Sequence, residues 1–488
     1  MDGSPRRPAQ LRLSEEHHSL RGEAQRVEPD RGRRRGGLTD MGAHSPVAPK
    51  QTLDPARPLR IAFVAYRGNM NSGGQGIYLW FLAREMARLG HEVHVLVGPP
   101  YPDPMPFATV ERIPNQQFWA KWVLDQTDQI VPEKDPLQIF SPLNFYELGA
   151  SRLGFLPEPF AFSARAFTRL SRALRNGRHF DIVHDVQCLG YGLLGLQALG
   201  LPVVTTLHHP LTVDRRASFI RDDNFKDAVG TMKFYPIGMQ AFVARRLDCV
   251  LTSSEASAQQ IVRDFRVRPS RMRNVRNGLD VDLFSPSASI AKSESELLCI
   301  GRSTDPNKGI RTLIQALGRL PDHVRLTLVD DDGPDNRVRD WAREADVLER
   351  IRLTGRVGSE ELVRLYRKAA IVVVPSRYEG FGLPAVEAMA CGTPVVATRA
   401  GALSEVMELT GGGLLAERDD PDSIAHAVRT LLENTEARAL MAKRGRERIV
   451  ETLSWPGVAA ATAQVYREVV AQTRRGRPTR TITSASVG

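Results

Sequence analysis

The chain has 488 residues, 42% of them hydrophobic and 25% charged, a composition typical of a globular protein with about two domains. It has no run of about eighteen uncharged apolar residues, so we expect neither a membrane span nor a signal peptide and predict a cytoplasmic protein. The four cysteines are far apart and mostly in apolar runs, which argues against a zinc site or disulfides and predicts buried thiols: Cys188, Cys249, Cys299 and Cys391.

The formal net charge of +10 raises the alternative of an Arg-rich nucleic-acid-binding protein, but six of these net charges lie in the ends of the sequence. Residues 1–40 hold nine Arg against seven acidic residues, and residues 473–488 hold four Arg and no acid. Both ends are poor in aromatic residues, so we predict disordered tails at 1–58 and 473–488, with Met41 as an alternative start. We therefore expect no nucleic-acid partner.

Alternating strand and helix patterns fill residues 59–284. An apolar strand, a glycine turn, an amphipathic helix and a second strand form a βαβ unit, and three more strands follow. The predicted strands are 59–65, 92–97, 180–184, 201–207 and 248–253. This alternation predicts an α/β domain with a parallel sheet and helices on both of its faces. Residues 98–179 form an insertion that either shapes an acceptor site or is only structural.

A second alternating series follows residues 285–296, a polar and serine-rich segment that we predict to be the linker between two domains. The second domain is predicted to span 297–454, and a last helical pattern covers 455–472. Its predicted strands are 297–301, 325–329, 351–354, 370–375 and 394–397.

The most informative segment is 376–396, where Glu379 and Glu387 frame a glycine-rich turn between a strand and a helix. Gly382 lets the backbone approach a ligand closely, and the N–H groups that open the helix after Leu383 favour phosphate. Carboxylate oxygens accept hydrogen bonds from hydroxyl groups, so the two glutamates suit sugars. The segment therefore predicts a site for a phosphorylated sugar.

Glu379-Gly-Phe-Gly-Leu-Pro-Ala-Val-Glu387 resembles the E-x7-E signature of retaining glycosyltransferase family 4, the glycosyl transferases group 1. The resemblance covers about residues 59–470. It implies the GT-B fold, in which two Rossmann-like domains face each other across a cleft and the helix at 455–472 crosses back onto the first domain. The donor-binding residues that it implies here are Glu379, Phe381, Gly382, Leu383 and Glu387.

Arg302 and Lys308 follow the first strand of the second domain, in a turn that opens a helix. Two cations at this position can bind one diphosphate, although two ordinary surface cations are the alternative. The resemblance implies that both bind the donor diphosphate and stabilise the departing nucleoside diphosphate.

In the first domain, Gly73 and Gly74 lie between the first strand and the first helix, where ligands of such sheets bind. Their N–H groups could face the diphosphate from the other side, or the pair could form a plain turn. His208 ends a later strand, and the resemblance assigns it to the donor sugar, with His209 as the alternative. Most histidines at strand ends are structural.

Two acidic clusters could suggest a metal site: Asp280-Val-Asp282 and Asp330-Asp-Asp332. The first resembles the N-G-x-D turn of family 4, and the second occupies the G-D-G-P loop of the family with Asp331 in place of a glycine. We therefore expect no metal and no cofactor. Residues 164–177 carry four Arg at helical spacing, which indicates either peripheral contact with an anionic membrane or an ordinary amphipathic helix.

These features predict a metal-independent, retaining glycosyltransferase, a hexosyltransferase that uses a nucleoside diphosphate sugar as co-substrate. The implied catalytic residues are His208, Glu379, Arg302 and Lys308. The acceptor is unidentified and could be a glycan, a lipid or a small molecule. A phosphorylase or a nucleotide-sugar epimerase with the same fold is the alternative.

Overall fold

A computed structural model describes residues 57–70, 74–115, 137, 140–213, 215–216, 236–333 and 336–476. Nearly all of the predicted tails and Gly73 of the predicted site lie outside these ranges. The described residues all belong to one compact unit, residues 52–488. Within it, two parallel sheets carry helices on both faces, as the alternating sequence pattern predicts.

The first sheet has seven parallel strands in the order β3-β2-β1-β4-β5-β6-β7. Its central strands are mainly apolar and are buried except for the first residues of β1 and β2, because helices cover both of their faces. The strands are β1 Arg60–Ala65, β2 Glu92–Val97, β3 Thr109–Arg112, β4 Ile182–Val186, β5 Val203–Thr206, β6 Cys249–Thr252 and β7 Met272–Asn274.

The helices of the first domain form two layers. In the described ranges they are α1 Gly74–Arg88, α2 Pro142–Arg152, α3 Glu158–Arg175, α4 Gly192–Ala198, α5 Ile237–Ala244 and α6 Glu255–Phe265. The apolar face of α1 packs on one side of the sheet, and those of α3 to α6 pack on the other. The described part of the insertion at 98–179 includes the edge strand β3 and the helices α2 and α3, and α3 belongs to the domain core through Phe162, Ala166 and Leu170.

The second sheet has six parallel strands in the order β10-β9-β8-β11-β12-β13. Its strands are β8 Glu296–Ile300, β9 Arg325–Val329, β10 Ile351–Leu353, β11 Ile371–Val374, β12 Val395–Thr398 and β13 Gly413–Ala416. Its helices are α7 Ile310–Leu317, α8 Val338–Glu344, α9 Ser359–Lys368, α10 Leu383–Ala390, α11 Ala402–Thr410, α12 Pro421–Glu433 and α13 Thr435–Thr452. The carboxyl ends of β8 and β11 lie side by side, which brings the residues after each strand together.

The chain passes between the two cores twice, at neighbouring positions. Val275 packs on the first core and Leu279 belongs to the second, while Leu453 belongs to the second and Trp455 to the first. The Leu279 N–H donates to the Leu453 carbonyl at 2.7 Å, so the two crossings are hydrogen-bonded to each other. The segment predicted as a linker, 285–296, lies against the second domain, where Lys292 Nζ donates to Thr393 Oγ1 at 2.6 Å.

The last helix, α14 Trp455–Gly476, crosses back onto the first domain as predicted. The Trp455 ring stacks on Phe81 of α1 with centroids 5.3 Å apart, and Tyr466 is fully buried in the same core. The four cysteines are buried free thiols, which confirms that prediction. No helix in the described ranges is both long enough and apolar enough to span a membrane.

Candidate active site

The turn after β8 and the loop after β11 meet in an ion pair. Lys308 Nζ lies 2.7 Å from Glu379 Oε1, and the Ser376 hydroxyl donates to the same carboxylate oxygen at 2.8 Å. Burial opposes the charge on the lysine, but the neighbouring Glu379 carboxylate raises the pKa of Lys308 above its usual value. The ammonium group is therefore held protonated at the carboxyl edge of the sheet, with further N–H groups for a second anion.

The local sequence explains why this lysine reaches the loop. Lys308 ends a short 3-10 turn, Pro306–Lys308, in which the Asp305 carboxylate accepts a hydrogen bond from the Asn307 N–H at 2.9 Å. Gly309 follows with a φ of +62°, and a Cβ there would lie 2.0 Å from the Pro375 carbonyl oxygen. Only glycine allows the turn to pack this closely against the end of β11.

The loop that bears Glu379 is held from both of its ends. Gly382 has a φ of +88° and caps the start of α10, and the Phe381 side chain is buried in the second core. The Glu379 carbonyl accepts a hydrogen bond from Ala402 N–H at 3.0 Å, and a Cβ on Gly401 would lie 2.3 Å from that carbonyl oxygen. Because the Phe381 ring is in the core, only its backbone is left to face a ligand.

Glu387 and Arg302 take no part in this ion pair. The Glu387 carboxylate accepts a hydrogen bond from the Tyr366 hydroxyl at 2.7 Å, and burial raises the pKa of Glu387 to about 7. The Arg302 side chain is exposed, and it makes no hydrogen bond or ion pair within the described part of the chain. The structure thus brings Lys308 and Glu379 into contact and leaves Arg302 unengaged.

His208 faces the same loop from the first domain. A Cβ on Gly380 would lie 2.9 Å from the His208 carbonyl oxygen, so the two backbones almost touch across the domain boundary. The His208 ring packs edge to face on Tyr78 at 4.9 Å, and its buried Nε2 has no hydrogen-bond partner among the described residues. Burial lowers the pKa of His208 to about 3, so the ring is neutral. His209 stays the alternative.

Several polar groups dock the two domains on each other here. The Gly380 carbonyl accepts hydrogen bonds from Ser254 Oγ at 2.9 Å and from Ser257 Oγ at 3.2 Å. In the opposite direction, the Glu405 carboxylate of the second domain accepts from the first two amides of α6, Glu255 N–H at 2.9 Å and Ala256 N–H at 2.7 Å. A carboxylate at a helix start is a favourable charge arrangement.

A buried hydrogen-bond chain connects α14 to the neighbourhood of His208. His184 of β4 bonds the Tyr466 hydroxyl through Nδ1 and Thr206 Oγ1 through Nε2, the latter at 2.7 Å. Thr206 Oγ1 also lies 2.9 Å from the hydroxyl of Tyr78, whose ring contacts His208. Burial lowers the pKa of His184 to about 3, so it acts here as a neutral link.

Comparison with known proteins identifies the family of this chain. The family model for glycosyltransferase family 4 matches residues 72–283, and the model for glycosyl transferases group 1 matches residues 281–448. A relative from Mycolicibacterium hassiacum, MMP alpha-(1->4)-mannosyltransferase, is 36% identical over 85% of this chain and 99% of its own length. The chain belongs to glycosyltransferase family 4.

Other relatives and solved structures extend the comparison. D-inositol 3-phosphate glycosyltransferase of Saccharomonospora viridis is 27% identical over 83% of this chain and 92% of its own length. Sucrose-phosphate synthase from Thermosynechococcus elongatus superposes with a TM-score of 0.62 at 23% identity, covering 85% of this chain and 100% of that one. Anabaena HepE in complex with UDP and glucose gives a TM-score of 0.59 at 19% identity, covering 84% and 100%. The glycosyltransferase therefore has the predicted GT-B fold.

Both acidic clusters of this glycosyltransferase contact other groups of the chain. In the first cluster, Asp280 accepts hydrogen bonds from the Asp282 and Leu283 amides, both at 3.2 Å. Asp330 accepts hydrogen bonds from Ser303 N–H at 2.9 Å and from Asn336 Nδ2 at 3.0 Å, and Asp331 pairs with Arg356 at 2.8 Å. Among the described residues, no three His, Cys, Asp or Glu side chains are grouped to hold a metal ion. Asp331 occupies the position of a glycine in the family loop. Its φ is not positive, so the aspartate causes no backbone strain of the left-handed kind there.

The Arg-rich helix of the glycosyltransferase, α3, engages part of its charge within the protein. Arg165 forms a bidentate ion pair with Glu147 at 2.6 and 2.9 Å, and Arg169 lies 3.6 Å from Glu111. Peripheral membrane contact stays a prediction.

Proposed function

We propose that this glycosyltransferase moves a sugar from a nucleoside diphosphate donor to an acceptor hydroxyl, with retained anomeric configuration and without a metal ion. The observation that carries the proposal is the Lys308 to Glu379 contact of 2.7 Å, which joins a half-buried cation and an acceptor of sugar hydroxyls at the carboxyl edge of the second sheet. Ligands of open parallel sheets bind outside these strand ends.

The diphosphate would be held between positive groups of both domains. The starts of α1 and α10 face each other, because a Cβ on Gly74 would lie 3.7 Å from Leu383 Cδ1. Each helix start carries a partial positive charge, and Lys308 and the exposed Arg302 add two full charges on the second-domain side. Stabilising the charge that grows on the leaving diphosphate in this way contributes several kcal/mol in enzymes generally.

The sugar and the ribose would occupy opposite ends of this diphosphate site. Glu379 would accept hydrogen bonds from the pyranose, with the neutral His208 Nε2 bonding one further hydroxyl near the reacting carbon. Glu387 would accept from the ribose diol. The leaving phosphate would take the acceptor proton, so that no separate base is required.

The relatives suggest the first sugar and the stereochemistry to test. The name of the relative from Mycolicibacterium hassiacum gives it an alpha-(1->4) mannosyl product, which is a retained configuration if its donor is alpha-linked. The fold neighbour HepE is in complex with UDP and glucose, a nucleoside diphosphate and a sugar. We therefore rank mannose first among the transferred sugars, with the base left to experiment.

The test begins with thermal shift of the purified protein against ADP-, GDP- and UDP-linked glucose and mannose, since a bound donor raises the melting temperature. Transfer from the responding donor is then compared in wild type, Lys308→Met and Lys443→Met. Lys443 is an exposed lysine of α13 and serves as the matched control. We expect Lys308→Met to lower kcat/KM by about 100-fold or more, as expected when one charge-stabilising donor is lost, with unchanged circular dichroism.

Chelation and product configuration complete this test. Transfer should be unchanged by EDTA, and proton NMR of the first product should show the anomeric configuration of the donor. Full activity in Lys308→Met, inhibition by EDTA that manganese reverses, or an inverted product would each contradict a part of the proposal.

A further inference from the structure

The first domain has a second concave feature, a groove of about 770 Å³ that the proposed donor site does not use. We call it the aromatic groove. Its main lining side chains are Phe145, Tyr146, Phe155, Phe160, Tyr191 and Met239. Tyr146 packs edge to face on Phe160 at 4.8 Å, and Phe160 packs on Tyr191 at 6.2 Å, so the rings form a continuous row.

The side chains that line the aromatic groove are mainly apolar, and several of them are exposed to solvent. Phe145 is 63% exposed, and Leu153, which also lines the groove, is 67% exposed. Large apolar side chains exposed together in one concavity mark a binding site more often than scattered ones do. Its volume falls within the range of roughly 300–1,000 Å³ that is usual for sites of single small molecules.

The aromatic groove lies at the same edge of the first sheet as His208. Tyr191 follows the carboxyl end of β4, and Met239 lies in the connection that leaves the carboxyl end of β5. Phe160 is in the first turn of α3, which leads into β4 and therefore begins at that edge. The groove thus adjoins the edge where open parallel sheets bind their substrates.

One rigid loop, residues 187–191, connects the groove to His208. At one end, Gln187 accepts from His208 N–H at 2.9 Å and donates to the His209 carbonyl at 3.2 Å. At the other end, Tyr191 lines the groove. In between, the Asp185 carboxylate accepts from the Cys188 and Leu189 amides at 3.1 Å, which fixes the loop although Leu189 has a φ of +53°. A molecule that fills the groove therefore lies one short loop away from the reacting centre.

We propose that the aromatic groove binds the apolar part of the acceptor, an alkyl chain or aryl ring attached to the sugar that receives the transferred residue. The proposal rests on the proposed function, because it assigns the acceptor class for that reaction. A free glycan would leave its hydroxyl groups without partners in such a groove, whereas an apolar chain gains from burial.

The groove offers a substitution that fills it without disturbing the fold. Gly149 of α2 lines the groove, is in a helix, and a Cβ built on it meets nothing within 4 Å. Gly149→Phe should therefore place a ring in the groove without a backbone clash. Gly238 of α5 is the matched control, because it is helical, exposed and equally open but does not line the groove.

The experiment measures binding of octyl and methyl α-D-mannopyranoside by calorimetry, below the micelle concentration of the octyl compound. We expect the octyl compound to bind about 100-fold or more tightly than the methyl compound, since each buried methylene group contributes about fourfold in Kd. Gly149→Phe should weaken octyl binding by about tenfold or more, and Gly238→Phe should leave it unchanged. In transfer assays with the responding donor, Gly149→Phe should raise KM for the octyl acceptor and leave donor affinity unchanged.

Several outcomes would overturn the proposal. One is equal affinity for the octyl and methyl mannosides, and another is unchanged octyl affinity in Gly149→Phe. A third is that Gly149→Phe changes only dimer formation, measured by sedimentation, or only binding to phosphatidylglycerol vesicles. Failure of the proposed function has a different signature. In that case no nucleoside diphosphate sugar shifts the melting temperature in a Lys308-dependent manner, whatever the mannosides do.

Discussion

Glu387 should carry a pH-dependent destabilisation that a single substitution removes. Its carboxylate accepts one hydrogen bond, from the Tyr366 hydroxyl, yet burial raises its pKa from 4.5 to about 7. The loss of hydration therefore outweighs the single phenol bond. Glu387→Gln retains an acceptor oxygen for Tyr366 and removes the charge, so we expect a more stable protein with weaker donor binding.

The sign and size of this change in unfolding free energy follow from the pKa values of Glu387 in the unfolded and folded states. The carboxyl group ionises near 4.5 in the unfolded chain and near 7 in the folded one, so the folded state holds the proton over that interval. This bound proton makes its full contribution to the unfolding free energy below the unfolded-state pKa of 4.5. The contribution is lost as the pH rises through the folded-state pKa of about 7. At about 1.4 kcal/mol per pH unit, wild type loses about 3 kcal/mol of unfolding free energy by about pH 8. Glu387→Gln should not lose it.

Urea denaturation between about pH 4 and pH 8 measures this difference. The variant and wild type should agree at the acid end, and the variant should be more stable by up to about 3 kcal/mol at the alkaline end. Glu408→Gln, at an exposed glutamate of α11, controls for the loss of a negative charge. A variant that is less stable than wild type at alkaline pH, or that retains the wild-type slope, would refute the reasoning. Donor affinity should fall below about pH 7 in wild type and lose this pH dependence in Glu387→Gln.

Two further predictions concern the contacts around the proposed cleft. Glu405→Ala removes the acceptor of two amides at the start of α6, so we expect the contact between the domains to be less stable by about 1 kcal/mol. The radius of gyration by small-angle scattering should then be larger, and KM for the donor should be higher. An unchanged scattering curve would contradict this. Gln187→Leu removes the acceptor of the His208 N–H, which should cost about 1–3 kcal/mol of stability and lower kcat with donor KM unchanged. An unchanged kcat would show that Gln187 does not position His208.

The sequence pattern predicts the buried strands well because continuous apolar runs are required wherever helices cover both faces of a parallel sheet. It misses three edge strands, Thr109–Arg112, Met272–Asn274 and Gly413–Ala416. These are short and partly exposed, and they are strands because a neighbouring strand pairs with them. Their own residues carry little signal, since strand preference depends strongly on what the strand packs against.

Proximity within the second domain was also predictable. Lys308 and Glu379 follow neighbouring strands of one parallel sheet, and the carboxyl ends of such strands share an edge. The contacts of Ser254, Ser257 and Glu405 across the domain boundary were not predictable, because they depend on how the two domains dock and local spacing does not encode that. The available sequence signal for these contacts was the pair of serines that follows β6, Ser253 and Ser254.

The order of synthesis gives α14 an unusual position in the folding of this protein. Residues from Trp455 to Val470 complete the core of the first domain, although the ribosome makes them after the whole of the second domain. Until they emerge, the α1 side of the first sheet lacks part of its cover and presents apolar surface to chaperones. The second domain can therefore finish folding before the first, even though its chain is translated later.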